Sequence, residues 1–411
     1  MLLLEKHLAK FGIKPGLEHT RAICKALGNP QDKMKVILVT GTNGKGSVTS
    51  YLASILKEAD YKVGAYYSPH LFKYNERFKI NGNDISDREL KKYEKEILDL
   101  FRQGYDLTLF EALTAIAYKY FADKNCDFAV MEIGMGGTYD ATNIASESIA
   151  IITNVDLEHT EYLGKTVEEI AKDKAGIIKN KIAITTANGV ALAMIKKRAE
   201  EKGATLKSLN ENFFVKLKTA NNKETKFDYV GENFYINLET SLAGRYQAKN
   251  AALAVVAAEQ LGCEEDAIRK GLKNAKNIGR MQLLGKGPLI LADAAHNSHG
   301  MKELIANLDL FDYEKLICVF TAMKDKNWHE ILKLLAMHCD FLIANEIKNG
   351  RCEKAEQLAK EANKYTKAVA IKNVKQSIKF AKKMAKKKDL ILICGSIYML
   401  GEAINACKAK K

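Results

Sequence analysis

The sequence predicts an α/β protein of two doubly wound domains, an N-terminal P-loop ATPase domain and a smaller Rossmann-like C-terminal domain. Three observations predict it. Val36–Asp60 reads as strand, glycine loop and helix in immediate succession. Apolar strand patterns then alternate with helical ones almost to the C-terminus. The chain of 411 residues also exceeds one ordinary core, so two domains are expected, at 1–284 and 285–411.

Residues 1–35 read as two short helices joined around Gly12–Glu18, with Gly28, Asn29 and Pro30 as a stop. The run ending in Thr40 is β-branched and aliphatic, the pattern of a parallel strand buried on both faces. Gly41–Ser47, GTNGKGS, follows, and Val48, Leu52, Ile55 and Leu56 then recur at helical spacing. Such a loop brings backbone N–H groups and the positive end of a helix to an oligophosphate. Lys45 would reach the β- and γ-phosphates, and the Ser47 hydroxyl would meet the phosphates or Mg²⁺. The Walker pattern places Ser or Thr directly after the lysine, and here Gly46 intervenes. With both flanking elements in place the loop reads as an ATP site rather than a plain turn.

A second strand, Lys62–Tyr66, ends at Tyr67–Leu71, YSPHL, where loops at a sheet's carboxyl edge line the ligand crevice. Pro69 imposes an extended turn there, which lets Ser68 face the phosphates. A polar segment, Asn75–Asp84, leads to a helix from Ser86, and Thr108–Phe121 has helical periodicity. Asp127–Ile133 is another buried strand carrying one acid near its end, Glu132, the form of a Walker-B-type Mg²⁺ ligand. Gly134–Asn143 is glycine-rich and precedes the strand Ser148–Asn154. Beyond it lies Asp156-Leu-Glu-His159, which puts His159 where parallel sheets bind ligands. Thr153–Asp156, TNVD, approaches the base-reading NKxD motif of GTPases but lacks the lysine, so no GTPase is read here. The helix from Thr166 carries Lys172, Asp173 and Lys174; on composition alone Lys174 is one more surface lysine.

Residues 180–242 supply a strand, a helix and three alternating segments that suggest a small antiparallel excursion. Gly244–Asn250 opens an Ala-rich helix, Glu265–Asn274 is a further helix, and Gly279-Arg280 follows. The linker is expected at Gly285–Pro288 from its glycine and proline content. The second domain then offers strands at Leu289–Asp293, Leu316–Thr321, Phe341–Ile347, Ala368–Ile371 and Leu390–Cys394. Its first strand runs into Asp293 and His296, three residues apart at a carboxyl edge.

Composition narrows the function classes. No apolar run reaches membrane-spanning length, and the N-terminus, MLLLEKH, is no signal peptide. The eight cysteines are scattered without a CxxC pair, so disulfides and a zinc site are not expected and a reducing cytosol is. A net charge of +14 comes largely from lysines spread over helix faces, and no nucleic-acid motif with interleaved aromatics accompanies it. A general attraction for anionic substrates is its expected effect.

The blocks GTNGKGS, YSPHL, MEIGMGGTYDATN, DLEHTEYLG with KAGIIK, Gly279-Arg280 and LADAAHNSHG, in this order, resemble the folylpolyglutamate synthase/dihydrofolate synthase family of the Mur ligase superfamily. The resemblance runs from about Gly16 to Glu402. It implies an ATP-dependent carboxylate–amine ligase: ATP phosphorylates a substrate carboxylate, and the amine of L-glutamate displaces phosphate from the acyl phosphate. On the family's pattern, Thr42, Asn43, Gly44, Lys45, Gly46 and Ser47 cradle the phosphates. Ser68, Glu132 and His159 match Mg²⁺ ligands, and Lys174 matches a lysine carbamylated by CO₂ that helps to hold a second Mg²⁺. Asn250, Arg280 and Asp293 match nucleotide contacts, and His296 lies on the same block. Catalytic roles fall to Lys45, Glu132, His159, Lys174 and His296, with a monovalent cation as a further cofactor.

Pterin-side contacts map to Thr108, Leu109, Phe110 and Glu111, with Phe110 as a stacking surface, and to Tyr139, Asp140 and Ala141. Two positions depart from the family's pattern: Thr138 stands where many relatives have Arg or Leu, and Met281 replaces an aromatic. Both bear on which pterin form is preferred. The expected substrates are dihydropteroate, reduced folates, L-glutamate and ATP, handled by a cytosolic monomer that binds neither nucleic acid nor membrane. An interdomain cleft that closes and excludes water from the acyl phosphate is also expected.

Three alternatives stand beside this reading. One is an enzyme that only extends folates. Another is a Mur ligase acting on a UDP-sugar peptide, against which stand the SPHL and DATN blocks and the short stretch before the loop. The third is a nucleotide-regulated binding protein, whose ATP consumption would not depend on glutamate.

Overall fold

A computed structural model describes residues 2–8, 11–12 and 16–408, and the counts and absences given for the fold refer to these residues. The chain divides into two compact units. The first comprises Met1–Lys216, Phe227–Thr240 and Ala248–Lys276, and the second Leu217–Lys226, Ser241–Gln247 and Asn277–Lys411.

In the first unit the strands are β1 (Lys35–Thr40), β2 (Val63–Tyr66), β3 (Phe78–Ile80), β4 (Asn83–Asp84), β5 (Phe128–Glu132), β6 (Glu147–Ile152), β7 (Ile182–Thr185) and β8 (Thr205–Ser208). The helices among them are α1 (Leu3–Leu8), α2 (Glu18–Ala26), α3 (Lys45–Glu58), α4 (Asp87–Arg102), α5 (Leu109–Asp123), α6 (Thr160–Leu163), α7 (Val167–Ala175) and α8 (Gly189–Lys202). The eight strands form one sheet in the order β4-β3-β2-β5-β1-β6-β7-β8. Its body is parallel, and the β3–β4 hairpin adds an antiparallel edge.

The interior of β1 is wholly buried, as its apolar run requires. Each of Val36, Ile37, Leu38 and Val39 contributes roughly 1.5–3 kcal/mol by leaving water. The polar starts of the surrounding helices are as telling. Thr108 and Thr166 each close a capping box, with Glu111 and Glu169 respectively, and Ser86 accepts from Glu89 N. Because β1 lies between β5 and β6, the loop after β1 meets the end of β5 on one side and the segment after β6 on the other. That is the crevice at which open parallel sheets bind ligands.

Three strands follow, β9 (Phe214–Ala220), β10 (Thr225–Val230) and β11 (Phe234–Thr240), in a sheet of order β11-β10-β9. Then come α9 (Gln247–Gln260) and α10 (Glu265–Asn274). The second unit carries β12 (Gln282–Lys286), β13 (Leu289–Ala292), α11 (Ser298–Ile305), β14 (Leu316–Phe320), α12 (Trp328–Ala336), β15 (Phe341–Ala344), α13 (Ala355–Ala362), β16 (Lys367–Ala370), α14 (Val374–Met384), β17 (Leu390–Cys394) and α15 (Ile397–Lys408). Its six strands are ordered β12-β13-β17-β14-β15-β16, all parallel except the β12–β13 pair.

Two readings of the sequence are corrected here. Gly285–Pro288 is no linker: Gly285 and Lys286 end β12, Gly287 and Pro288 turn the chain, and β13 pairs back on β12. Glycine and proline there serve a bulged edge hairpin, and the register shifts between Leu283 and Gly285. The polar stretch Asn75–Asp84 likewise contains the β3–β4 hairpin, turned at Asn81 and Gly82 with φ of 48° and 82°. The joint expected around Gly12–Glu18 lies partly outside the described residues, at positions 13–15. The cysteines are free thiols, buried except for the half-buried Cys407. Among the described residues no helix is long and apolar enough to cross a membrane.

Candidate active site

The glycine loop is strapped to the segment that follows β6. Thr42 N donates to Asn154 O and Asn43 N to Asn154 Oδ1, both at 2.9 Å. Thr153 Oγ1 returns a bond to Asn43 O at 2.6 Å, and Asp156 N donates to Thr42 Oγ1 at 3.0 Å. The TNVD stretch is therefore a brace for the loop, a role its resemblance to a base-reading motif conceals. Lys45 Nζ donates to Gly41 O at 2.6 Å and Thr42 O at 3.2 Å, which holds the ammonium against the loop. Ser47 is buried in the first turn of α3.

Gly44 caps α3 with φ of 91°, and a Cβ there would stand 2.6 Å from Asn250 Oδ1. Only glycine satisfies both demands, a left-handed backbone and contact with the neighbouring amide. Gly44→Ala is expected to weaken binding of an ATP analogue by about tenfold or more, since the left-handed conformation alone costs about 1–2 kcal/mol. Calorimetric titration checks this, and unchanged affinity would refute the close fit.

At the end of β5, Glu132 is buried, and its Oε2 accepts from Ser68 N at 3.2 Å. The following glycine loop is tied down by Asp140, whose Oδ2 accepts from Gly134 N and Met135 N, each at 3.1 Å. Its Oδ1 accepts from Thr142 N and Thr142 Oγ1 at 3.0 and 2.6 Å. Burial raises the Asp140 carboxyl's pKa, and these bonds oppose the rise. Asn143 Nδ2 donates to Gly137 O and Thr138 O at 3.1 and 3.2 Å. Thr138 Oγ1 donates to Asp173 O at 2.8 Å, which joins this loop to α7. A Cβ on Gly137 would come within 2.7 Å of Lys174 O, so the loop and the helix touch backbone to backbone.

Lys174, in the last turn of α7, is buried and donates to Glu158 Oε1 at 2.6 Å. The two side chains are 1% and 7% exposed. Burial lowers the Lys174 ammonium's pKa, Glu158 opposes that, and Lys45 adds repulsion. Burial alone would raise the Glu158 carboxyl; Lys174 first and Lys45 next outweigh it and hold it at about 2. Lys174 and Lys45 thus both favour the charged form of the Glu158 carboxyl. His159 follows Glu158, starting α6 with a left-handed backbone at φ of 48°.

Of the four residues expected to hold metal, Ser68 and Glu132 are in contact, Lys174 is engaged by Glu158, and His159 adjoins Glu158 in sequence. Among the described residues no group of three or more His, Cys, Asp or Glu side chains stands ready to hold a metal ion. Glu158 escaped the sequence reading because its partner lies 16 residues away on another element.

The residues expected on the pterin side divide by surface. Thr108 and Glu111 are buried and occupied with each other: Thr108 N donates to Glu111 Oε2 at 2.7 Å, and Thr20 Oγ1 donates to Oε1 at 3.3 Å. Ala141 is buried as well. Leu109 and Phe110 are half-buried, and the Phe110 ring lies 6.2 Å from that of Tyr66 and beneath Gly134. Tyr139 is exposed.

The second unit gathers Arg280, Asp293 and His296. Asp293 is buried and accepts from Met281 N at 2.8 Å and Ala295 N at 2.7 Å. Burial raises its carboxyl's pKa and Arg280 lowers it. His296 Nδ1 bonds Ala294 O at 2.8 Å; a carbonyl only accepts, so Nδ1 carries the proton.

Comparison with known proteins accords with these features. The Mur ligase middle domain matches residues 39–258, and the Mur ligase glutamate ligase domain matches 279–397. The dihydrofolate synthase/folylpolyglutamate synthase of Bacillus subtilis is 35% identical over 410 residues, 96% of this chain and 95% of the relative. The structure of Escherichia coli FolC in complex with DHPP and ADP superposes with a TM-score of 0.90 at 30% identity, over 99% of this chain and 97% of that one. The bifunctional folylpolyglutamate synthase/dihydrofolate synthase of Yersinia pestis, complexed with AMPPNP and Mn ion, gives a TM-score of 0.88 at 29% identity, over 98% and 96%. The chain belongs to the Mur ligase family and, within it, to the dihydrofolate synthase/folylpolyglutamate synthases.

Proposed function

We propose that this chain is an ATP-dependent ligase that adds L-glutamate to dihydropteroate, giving dihydrofolate, and to reduced folates, extending their glutamate tails. The observation that carries the reading is the strapped phosphate loop that holds Lys45, with the buried Glu132 at the end of the adjacent strand β5 and the buried Glu158–Lys174 pair just after the segment that straps the loop. Names of relatives support it: the Bacillus subtilis protein carries both activities in its name, and the Yersinia pestis structure is called bifunctional.

In this reading ATP lies with its phosphates along Thr42–Ser47. Lys45 leaves its carbonyl partners to offset charge that grows on the transferring phosphoryl group. A divalent cation fits the donor set, which is a buried carboxylate (Glu132), a hydroxyl (Ser68), an imidazole (His159) and Lys174 as a carbamate. Bound there, it would neutralise phosphate charge. The carboxylate of the pterin substrate is phosphorylated, and the glutamate amine attacks the acyl carbon and expels phosphate. Phe110 and Tyr139 offer the pterin aromatic and exposed surface, while Asp140 keeps their loop in shape. Arg280, Asp293 and His296, together on the second unit, are assigned to the nucleotide. The enzyme is taken as a cytosolic monomer.

The test is ADP release by the purified chain with ATP, Mg²⁺ and L-glutamate, using dihydropteroate or tetrahydrofolate as acceptor, with products weighed by mass spectrometry. Each acceptor should gain glutamate. Turnover with tetrahydrofolate alone would leave a folate extender, and glutamate-independent ADP release would refute the ligase.

A further inference from the structure

Lys174 and its partner Glu158 come from two separate elements. Its helix is bonded to the glycine loop through Asp173 O, which accepts from Thr138 N at 3.1 Å and Thr138 Oγ1 at 2.8 Å. Glu158 sits between Asp156, strapped to Thr42, and His159, which opens α6. The two side chains meet at 2.6 Å and are almost wholly buried. Among the described residues Glu158 is the ion-pair partner that Lys174 has. The contact is therefore part of the built site and not a surface encounter.

We propose that Glu158 is the resting anchor of Lys174, and that Glu158 and a carbamate on Lys174 are mutually exclusive neighbours of the same nitrogen. This rests on the carbamylated lysine of the proposed mechanism and concerns what controls it. Nζ first gives up its ammonium proton to solvent; the free amine then attacks the carbon of dissolved CO₂, the N–C bond forms, one C–O π pair moves onto oxygen, and a second N–H proton leaves to solvent. The cationic head becomes an anionic one. A carboxylate left within hydrogen-bond distance then faces a second anion in a buried setting, where neither is solvated and the pairing that justified its burial is gone. Glu158 must leave Nζ for the carbamate to persist. Glu158 is thus a positioning residue: it fixes the head of the unmodified lysine, and its release sets how much of the enzyme carries the carbamate.

Full-length wild type, Glu158→Gln, Glu158→Asp and Lys174→Met are equilibrated with isotopically labelled bicarbonate in the presence of chelator and without nucleotide. Carbon NMR then reads the carbamate, and the signal missing from Lys174→Met is the one assigned. Glu158→Gln should carry about tenfold more carbamate than wild type, within what loss of a buried charge contact supplies. Glu158→Asp, whose carboxylate is drawn back by one methylene, should fall between them. Equal Lys174-dependent signals in wild type and Glu158→Gln would overturn the anchor while leaving the carbamate in place. No Lys174-dependent signal in any of the proteins would overturn both. Should Glu158→Gln not fold, Glu158→Asp decides, and a signal equal to wild type overturns the proposal.

Discussion

Lys174→Ala is expected to lower glutamate-dependent ADP release by about 10²–10³-fold or more, the range seen when one group that stabilises a transition-state charge is removed. Short carboxylic acids should restore part of the activity by standing in for the proposed carbamate. The same substitution should also destabilise the protein. It leaves Glu158 buried and unpaired, and breaking a buried ion pair on one side costs about 3–5 kcal/mol. The two effects separate in the double variant Lys174→Ala/Glu158→Gln. Removing both charges should recover most of the lost thermal stability without recovering turnover. Thermal unfolding and ADP release measured on all three proteins check this. Full activity in Lys174→Ala would remove Lys174 from the mechanism.

Much of this fold was legible because it depends on local pattern. The aliphatic run before Gly41, the glycine loop and the helical spacing after it coincide with β1, the loop and α3. Ser86, Thr108 and Thr166 start helices where a cap-forming side chain precedes an apolar period. Short edge strands were missed, because β3 and β4 span three and two residues and leave no period to read. The Asn81-Gly82 turn was the available signal there. β12 was hidden by the glycines and proline of its own turn.

The site was legible as a set of residues but not as a set of partnerships. Thr153, Asn154 and Asp156 looked like a defective base-reading motif, and only the hydrogen bonds to Thr42 and Asn43 show what they hold. Asp140 and Glu111 were expected on the substrate side. In the fold their carboxylates also secure a loop and a helix start, roles that depend on backbone N–H groups no sequence pattern displays. Lys174 reads as a solvated lysine until α7 is packed, and its burial with Glu158 is a tertiary fact.

Glu132→Ala is the second substitution with a large expected effect. The carboxylate closes β5 between β1 and β2, is buried, and accepts from Ser68 N. It therefore shapes the turn that presents Ser68, and in the proposed mechanism it also offers its own oxygens to a divalent cation. Loss of a metal ligand should exceed the 10–100-fold fall in metal affinity that follows loss of a mere supporting residue, so the Mg²⁺ midpoint should rise by about 100-fold or more. Glu132→Gln keeps an acceptor for Ser68 N and most of the side chain's volume while removing the charge. If charge on the cation is the main role, Gln should resemble Ala in the Mg²⁺ titration and wild type in stability. If shaping the turn is the main role, Gln should recover both. ADP release against Mg²⁺ concentration, with thermal unfolding of the three proteins, distinguishes the cases; an unchanged midpoint in Glu132→Ala would refute the assignment of Glu132 as a ligand.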